Sequence, residues 1–217
     1  MFKFEDQVEV HVPNTVMQRQ HEGVKTLNSK LFELVADLER RYKDTDQNEV
    51  NSETIATKGG YQTPTKINFL EIDNIAIQEL NSQIIQPSIK SYLEHHFKDA
   101  AKKVTPWANG WANILKSGNW QAPHAHPSSG TIASGVYYVK TLEDSDGMGG
   151  CIEFINPLLA SWHHGFPYSR RIQPEEGLIV LFPPWYQHYV HPFSQNDKRC
   201  IVAFDVLSSK PGLDFVF

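Results

Sequence analysis

Two histidines stand at i and i+2 in the stretch Asn119-Trp120-Gln121-Ala122-Pro123-His124-Ala125-His126-Pro127. On an extended backbone side chains alternate faces, so this spacing puts both imidazoles on one side, a few ångströms apart. Two such rings can chelate one transition metal, and a third ligand from elsewhere in the chain closes one face of it. The plain alternative for any His-x-His is a pair of surface histidines on a polar turn. The third candidate is His188, which ends the segment Gly177-Leu178-Ile179-Val180-Leu181-Phe182-Pro183-Pro184-Trp185-Tyr186-Gln187-His188. Eleven residues later Arg199 opens the apolar run Cys200-Ile201-Val202-Ala203-Phe204. An arginine at the head of such a strand needs an anion, because an unpaired buried charge is costly. Its planar fork suits a carboxylate. Types and spacing together point to a three-ligand metal face with a carboxylate anchor nearby.

The elements that must position these residues are short strands. From Trp107 onward apolar runs alternate with Gly/Pro punctuation: Trp111 to Leu115, Gly130 to Val139, Cys151 to Ile155, Gly177 to Phe182 and Cys200 to Val206. This pattern predicts a sandwich or barrel. Upstream, Phe2 to Val12 reads as an early strand, and Pro13-Asn14-Thr15 offers a cap for a helix from about Val16 to Tyr42. Leu27, Leu31, Leu34, Val35 and Leu38 form its core stripe. Lys43 to Lys66 reads as a long polar loop, and a second helical region, Asn74 to Phe97, contains Pro87, which predicts a kink or two helices with the second starting near Gln86. Asn156 to Glu176 reads as an irregular insert holding Trp162, His163, His164 and Arg170, a candidate lid or substrate-binding segment. Glu153 alternates with apolar neighbours and is expected to be an outward charge; His191 has the wrong parity to join His188 as a ligand. The predicted fold class is mainly β with N-terminal helices: a double-stranded β-helix (jelly-roll, cupin-like) core from about 105 to 210, buttressed by a strand and helices in 1–104. The whole of 1–217 reads as one domain.

Composition narrows the function classes. Of 217 residues 21% are charged and 12% aromatic, with no biased tract, so the chain is globular. A net charge of -5 gives no basic footprint for nucleic acid. The first twenty residues show no signal-peptide pattern, and no apolar run approaches membrane-spanning length. Cys151 and Cys200 lie far apart in strand-like runs, which suits buried free thiols in a reducing cytoplasm. Oligomeric state and primary substrate have no signature in these residues.

The region from Trp107 to Val206 resembles the iron(II)/2-oxoglutarate-dependent oxygenases. That family carries a His-x-Asp (or Glu) pair, a distal His and an Arg about ten residues later on a double-stranded β-helix. The resemblance rests on His124-Ala125-His126, Ser134-Gly135-Val136-Tyr137-Tyr138-Val139, Gly177 to His188, and Arg199. It is most similar to a bacterial and phage subgroup with His-x-His-Pro, Ser-Gly-x-Tyr-Tyr-Val and Phe-Pro-x-Trp-x-x-His, which also shares Trp111-Ala112-Asn113. The resemblance implies a hydroxylase that couples substrate oxidation by O2 to decarboxylation of 2-oxoglutarate. It also implies iron(II) on His124, His126 and His188, and 2-oxoglutarate on Arg199 with Tyr138. Asn113 either bonds the co-substrate or satisfies backbone. Here His126 stands where the family has a carboxylate, so three neutral imidazoles replace two plus a negative charge. Two alternatives share the fold. One is a three-histidine cupin, although the cupin glutamate after His-x-His and the glycine of the second motif are absent. The other is a non-catalytic jelly-roll binding module with a structural metal, for which no fourth ligand is evident.

Overall fold

The computed structural model describes residues 14–46, 48, 50, 55–64, 66–126, 129–142, 147–158, 160, 163, 165 and 167–209. The strand expected over Phe2–Val12 lies outside them.

Among the described residues eleven strands form two antiparallel sheets. They are β1 (Met17–Gln20), β2 (Thr57–Lys58), β3 (Tyr61–Gln62), β4 (Trp107–Leu115), β5 (Trp120–His124), β6 (Thr131–Lys140), β7 (Ile152–Ile155), β8 (Ser169–Ile172), β9 (Leu178–Phe182), β10 (His188–Val190) and β11 (Arg199–Leu207). The major sheet runs β1-β9-β6-β11-β4-β3 and the minor sheet β2-β5-β10-β7-β8. From β4 to β11 the chain repeatedly crosses between the two sheets, and every pairing is antiparallel. That is a double-stranded β-helix.

Strict alternation sorts the major sheet's side chains between two cores. On β11, Cys200, Val202, Phe204 and Val206 face the helices, while Ile201 faces the minor sheet. On β6, Tyr137 and Val139 face the helices, and Val136 and Tyr138 face inward. Gly135 sits on the helix side because the Phe204 ring occupies the space its Cβ would need. The helix-side core is completed by Leu27, Leu31 and Val35 of α1 (Lys25–Tyr42), Ile77 and Leu80 of α2 (Ile75–Leu80), and Ile89 and Tyr92 of α3 (Gln86–Phe97). Polar clasps fix α1: the Tyr137 hydroxyl donates to Asn28 at 2.7 Å, and the buried Glu39 carboxylate holds Lys116 and Lys198 at 2.6 Å each.

Several expectations need correction. Val16 to Gln20 is not the first turns of a helix: residues 17–20 pair in register with β9, and the helix starts at Lys25 after a turn through Gly23 (φ 72°). The 43–66 segment is not wholly loop, since its far end forms β2 and β3 on one edge of each sheet. The second helical region does divide in two with the second helix starting at Gln86, as expected; the unexpected part is the π-helical stretch, Asn81–Ile85, that separates α2 from α3, with Pro87 in the first turn of α3. A proline has no N–H to bond and crowds the carbonyl four residues back, so a widened turn there relieves both. The 156–176 insert contains β8, which pairs with β7. Glu153 does point away from the sandwich interior, but it is buried. Ser169 donates to it, His191 Nε2 lies at 2.5 Å and Arg171 Nε at 3.8 Å.

Candidate metal centre and co-substrate cavity

Three elements bring the histidines together. His124 ends β5 and His188 opens β10, and the two are cross-strand partners with ring centroids 4.3 Å apart. Moving from that pair to Val190↔Gln121, β10 advances two residues and β5 three. The extra residue is a β-bulge, and Pro123, which cannot donate to a ladder, lies inside it. The bulge lets Gln121 and His124, an odd number of positions apart, both line one cavity. His126 lies just past the strand, where its N–H donates to the Pro184 carbonyl at 2.7 Å. The turn between β9 and β10, closed by Tyr186 N–H to Pro183 O at 3.0 Å, therefore positions two of the three rings. One nitrogen from each imidazole falls within 4.8 Å of the others.

Hydrogen bonds fix which nitrogen that is. His124 Nδ1 lies 2.7 Å from Ala122 O, and His188 Nδ1 2.9 Å from Tyr186 O. Carbonyls only accept, so both Nδ1 atoms carry the proton and both Nε2 lone pairs are free. His126 Nδ1 faces Asp205 Oδ1 at 3.0 Å, with the same consequence. Burial, reinforced by His126, pushes His124 down to about 4. Burial with His124 and His126 pushes His188 well below the usual imidazole range. Both rings are thus neutral and ready to ligate at neutral pH. The donor set fits a divalent transition metal.

The rings open onto a cavity of about 280 Å³. Arg199 lies in its wall, 2% exposed, with its guanidinium carbon 5.2 Å from the centre of the Tyr138 ring. Among the described residues Arg199 Nε and Nη1 and the Tyr138 hydroxyl are buried with no well-formed hydrogen bond, although the hydroxyl and the guanidinium lie close enough to interact with each other. Burial pushes Tyr138 up, which leaves its hydroxyl a neutral donor. Burial also works against the arginine's charge, and among the described residues no carboxylate pairs with it. A buried cation with unused donors in an open cavity fits an incoming carboxylate.

The other expected residues scatter. Asn113 donates to Thr57 at 3.2 Å and to Gln62 at 2.9 Å, behind the cavity rather than in its lining. Arg170 lies on β8, His163 on the exposed turn before it, and neither lines the cavity; Trp162 and His164 lie outside the described residues. Three features of the site escaped the sequence reading. Asp205 lies six residues after Arg199 on one strand, so even spacing could have placed both inward. Trp111 stacks on His126 with centroids 5.9 Å apart. Gln62, Gln121 and Thr57 join in hydrogen bonds of 2.7–3.1 Å, an amide wall assembled from β2, β3 and β5 that no local motif signals.

Fold and site together define a double-stranded β-helix whose three-imidazole cluster, fit to hold a metal, adjoins a pocket walled by a buried guanidinium. Residues 109–205, from β4 into β11, match the family model described as "Putative 2OG-Fe(II) oxygenase". Through that region the chain is similar to the iron(II)/2-oxoglutarate-dependent oxygenases, enzymes that use iron(II) as cofactor and 2-oxoglutarate as co-substrate. Solved structures share the fold across most of the chain. A Pseudomonas putida prolyl-4-hydroxylase superposes with TM-score 0.58 at 15% identity, covering 89% of this chain and 92% of its own. The viral collagen prolyl hydroxylase of Paramecium bursaria Chlorella virus-1, in its 2-oxoglutarate complex, gives 0.56 at 16%, covering 90% and 96%. A Trichoplax adhaerens prolyl hydroxylase bound to a hypoxia-inducible-factor peptide gives 0.58 at 12%, covering 89% and 83%. A search of the curated proteins finds no significant match.

Proposed function

We propose that His124, His126 and His188 hold the iron(II), and that Arg199 with the Tyr138 hydroxyl takes the far carboxylate of 2-oxoglutarate. The observation that carries this reading is the buried guanidinium with two unpaired nitrogens beside the three-imidazole face. Bound there, iron(II) supplies oxygen activation coupled to conversion of 2-oxoglutarate to succinate and CO2, with one oxygen atom passing to a C–H bond of the substrate. The chain's own residues bind, orient and exclude water. The Nδ1 bonds to Ala122 and Tyr186 keep two imidazoles in the ligating tautomer. Phe182, Val136, Ile201 and Ile152 give part of the lining an apolar surface, beside which charge interactions are stronger than in water. Ile55, Ala56, Asn109 and Trp111 are among the lining residues committed to neither metal nor co-substrate, and are candidates for contact with a primary substrate.

The shared fold of the prolyl hydroxylases supports hydroxylation as the outcome. The cupin and structural-metal readings leave Arg199 without a role. The helices of 1–104 back the major sheet through one continuous core, which supports a single functional unit over 1–217. No helix among the described residues is long and apolar enough to cross a membrane, and a reducing compartment fits two buried, unbridged cysteines. The test is anaerobic calorimetric titration of 2-oxoglutarate into iron(II)- or manganese(II)-loaded protein. Binding should be saturable and metal-dependent, and Arg199→Ala should weaken it by about 2–5 kcal/mol while sparing metal affinity. A filled metal site that binds no 2-oxoglutarate would overturn the assignment.

A further inference from the structure

Asp205 is an inward-facing carboxylate in the middle of the major sheet, flanked in register by Ser134 on β6 and Asn109 on β4. Its Oδ1 accepts from the Ser134 hydroxyl at 2.7 Å and from His126 Nδ1 at 3.0 Å. Its side chain is only 19% accessible, and among the described residues no lysine or arginine comes within ion-pair distance of it. A carboxylate so enclosed, with a hydroxyl and an imidazole as its partners, lacks a compensating positive charge. The nearest place for one is the far side of the His126 ring, where the three Nε2 atoms converge. Asp205 is not itself among the groups whose ligand atoms fall within 4.8 Å of one another.

His126 differs from its two companions. Their Nδ1 protons rest on neutral carbonyls, and its own rests on a carboxylate. Its faces are held by Trp111 on one contact (interplanar 23°) and by His188, parallel within 3° at 5.3 Å, on another. Stacking fixes the plane of a ring and leaves open which nitrogen leads; rotating the ring by half a turn preserves the stack. The bond to Asp205 settles that choice. A carboxylate on the outer nitrogen also makes the inner one a stronger donor.

We propose that Asp205 is a positioning residue of the metal centre: it aims His126 Nε2 at the other two imidazoles and returns, through that ring, the negative charge that a carboxylate ligand brings elsewhere in the family. The inference rests on the assignment of His124, His126 and His188 as the ligands. It accounts for a three-histidine site on a fold where one ligand is ordinarily an anion, since His126 with Asp205 carries that charge one bond further out. Ser134 serves the same end by holding Oδ1 in place.

The test is titration of cobalt(II) into the metal-free full-length protein, read as dissociation constant and as visible ligand-field spectrum. It compares the wild type with Asp205→Asn, Ser134→Ala, His126→Asn and His124→Asn. The expected result is a 10- to 100-fold weaker dissociation constant for Asp205→Asn, with cobalt still bound and its bands shifted. Ser134→Ala should weaken binding less, in the same direction. Affinity within twofold of wild type and an unchanged spectrum in Asp205→Asn would overturn the proposal. So would loss of cobalt in Asp205→Asn with full retention in His126→Asn, which would make Asp205 the ligand. If Asp205→Asn does not fold, judged by the melting curve of the metal-free protein, Ser134→Ala decides: wild-type affinity and spectrum there would overturn the proposal. Absence of saturable cobalt binding in the wild type, or indifference to His124→Asn, would instead overturn the ligand assignment beneath it.

Discussion

Every imidazole of the trio keeps its Nδ1 proton on an oxygen, and for His124 and His188 burial makes a second proton costly. The consequence for pH has a definite sign. An unfolded histidine titrates at about 6.5, and His124 in the folded chain only at about 4. Between those values the unfolded chain binds more protons, so acidification favours unfolding. The stability of the metal-free protein should therefore be fully present above pH ~6.5 and fall as the pH drops through 6.5 toward 4. Melting temperatures measured across that range check it, and His124→Asn should flatten part of the decline. A melting temperature flat from pH 7 to 4 would contradict the buried, neutral state of these rings.

At the scale of elements, β6 and β11 carry a size constraint that the chemistry does not reveal. The glycine of Ser134-Gly135-Val136-Tyr137-Tyr138-Val139 looks like part of a functional motif, but its Cβ would collide with the Phe204 ring. Gly135→Ala should cost about 1–3 kcal/mol by overpacking, and pairing it with Phe204→Leu should recover part of that loss. Chemical denaturation of the single and double variants measures both. Part of this was legible in advance: the α1 stripe packs as its spacing demands, and Arg199 stood out as a charge at the head of an apolar strand, whereas Tyr138 was readable only through the resemblance. What stayed hidden depended on distant partners. Met17–Gln20 is a strand only because the β9 edge pairs with it, and the β8 pairing lies across a long connection. Glu153 is buried by Ser169, His191 and Arg171, which no local pattern connects to it. The metal trio was readable as residues, whereas the bulge at Pro123 that lets Gln121 and His124 share a cavity was not.

Across the whole molecule, the order of strands in space departs from their order along the chain. β11, the last strand, lies between β6 and β4 and pairs with both over most of its length. It also carries Arg199 and Asp205, so the two charged groups of the cavity arrive together with the centre of the major sheet. During synthesis from the N-terminus, β4 and β6 leave the ribosome before the strand that joins them, and the edges they turn to it stay unpaired until residues 199–207 emerge. A nascent chain halted at about residue 195 should therefore be protease-sensitive and dependent on holdase chaperones. One halted with 207 clear of the exit tunnel should become resistant in a single step. Pulse proteolysis of stalled chains would show it, and gradual protection accumulating from β4 onward would refute it. On that order of events the last stretch of translation supplies both the charged groups of the pocket and the strand that joins the major sheet, so pocket and fold are completed together.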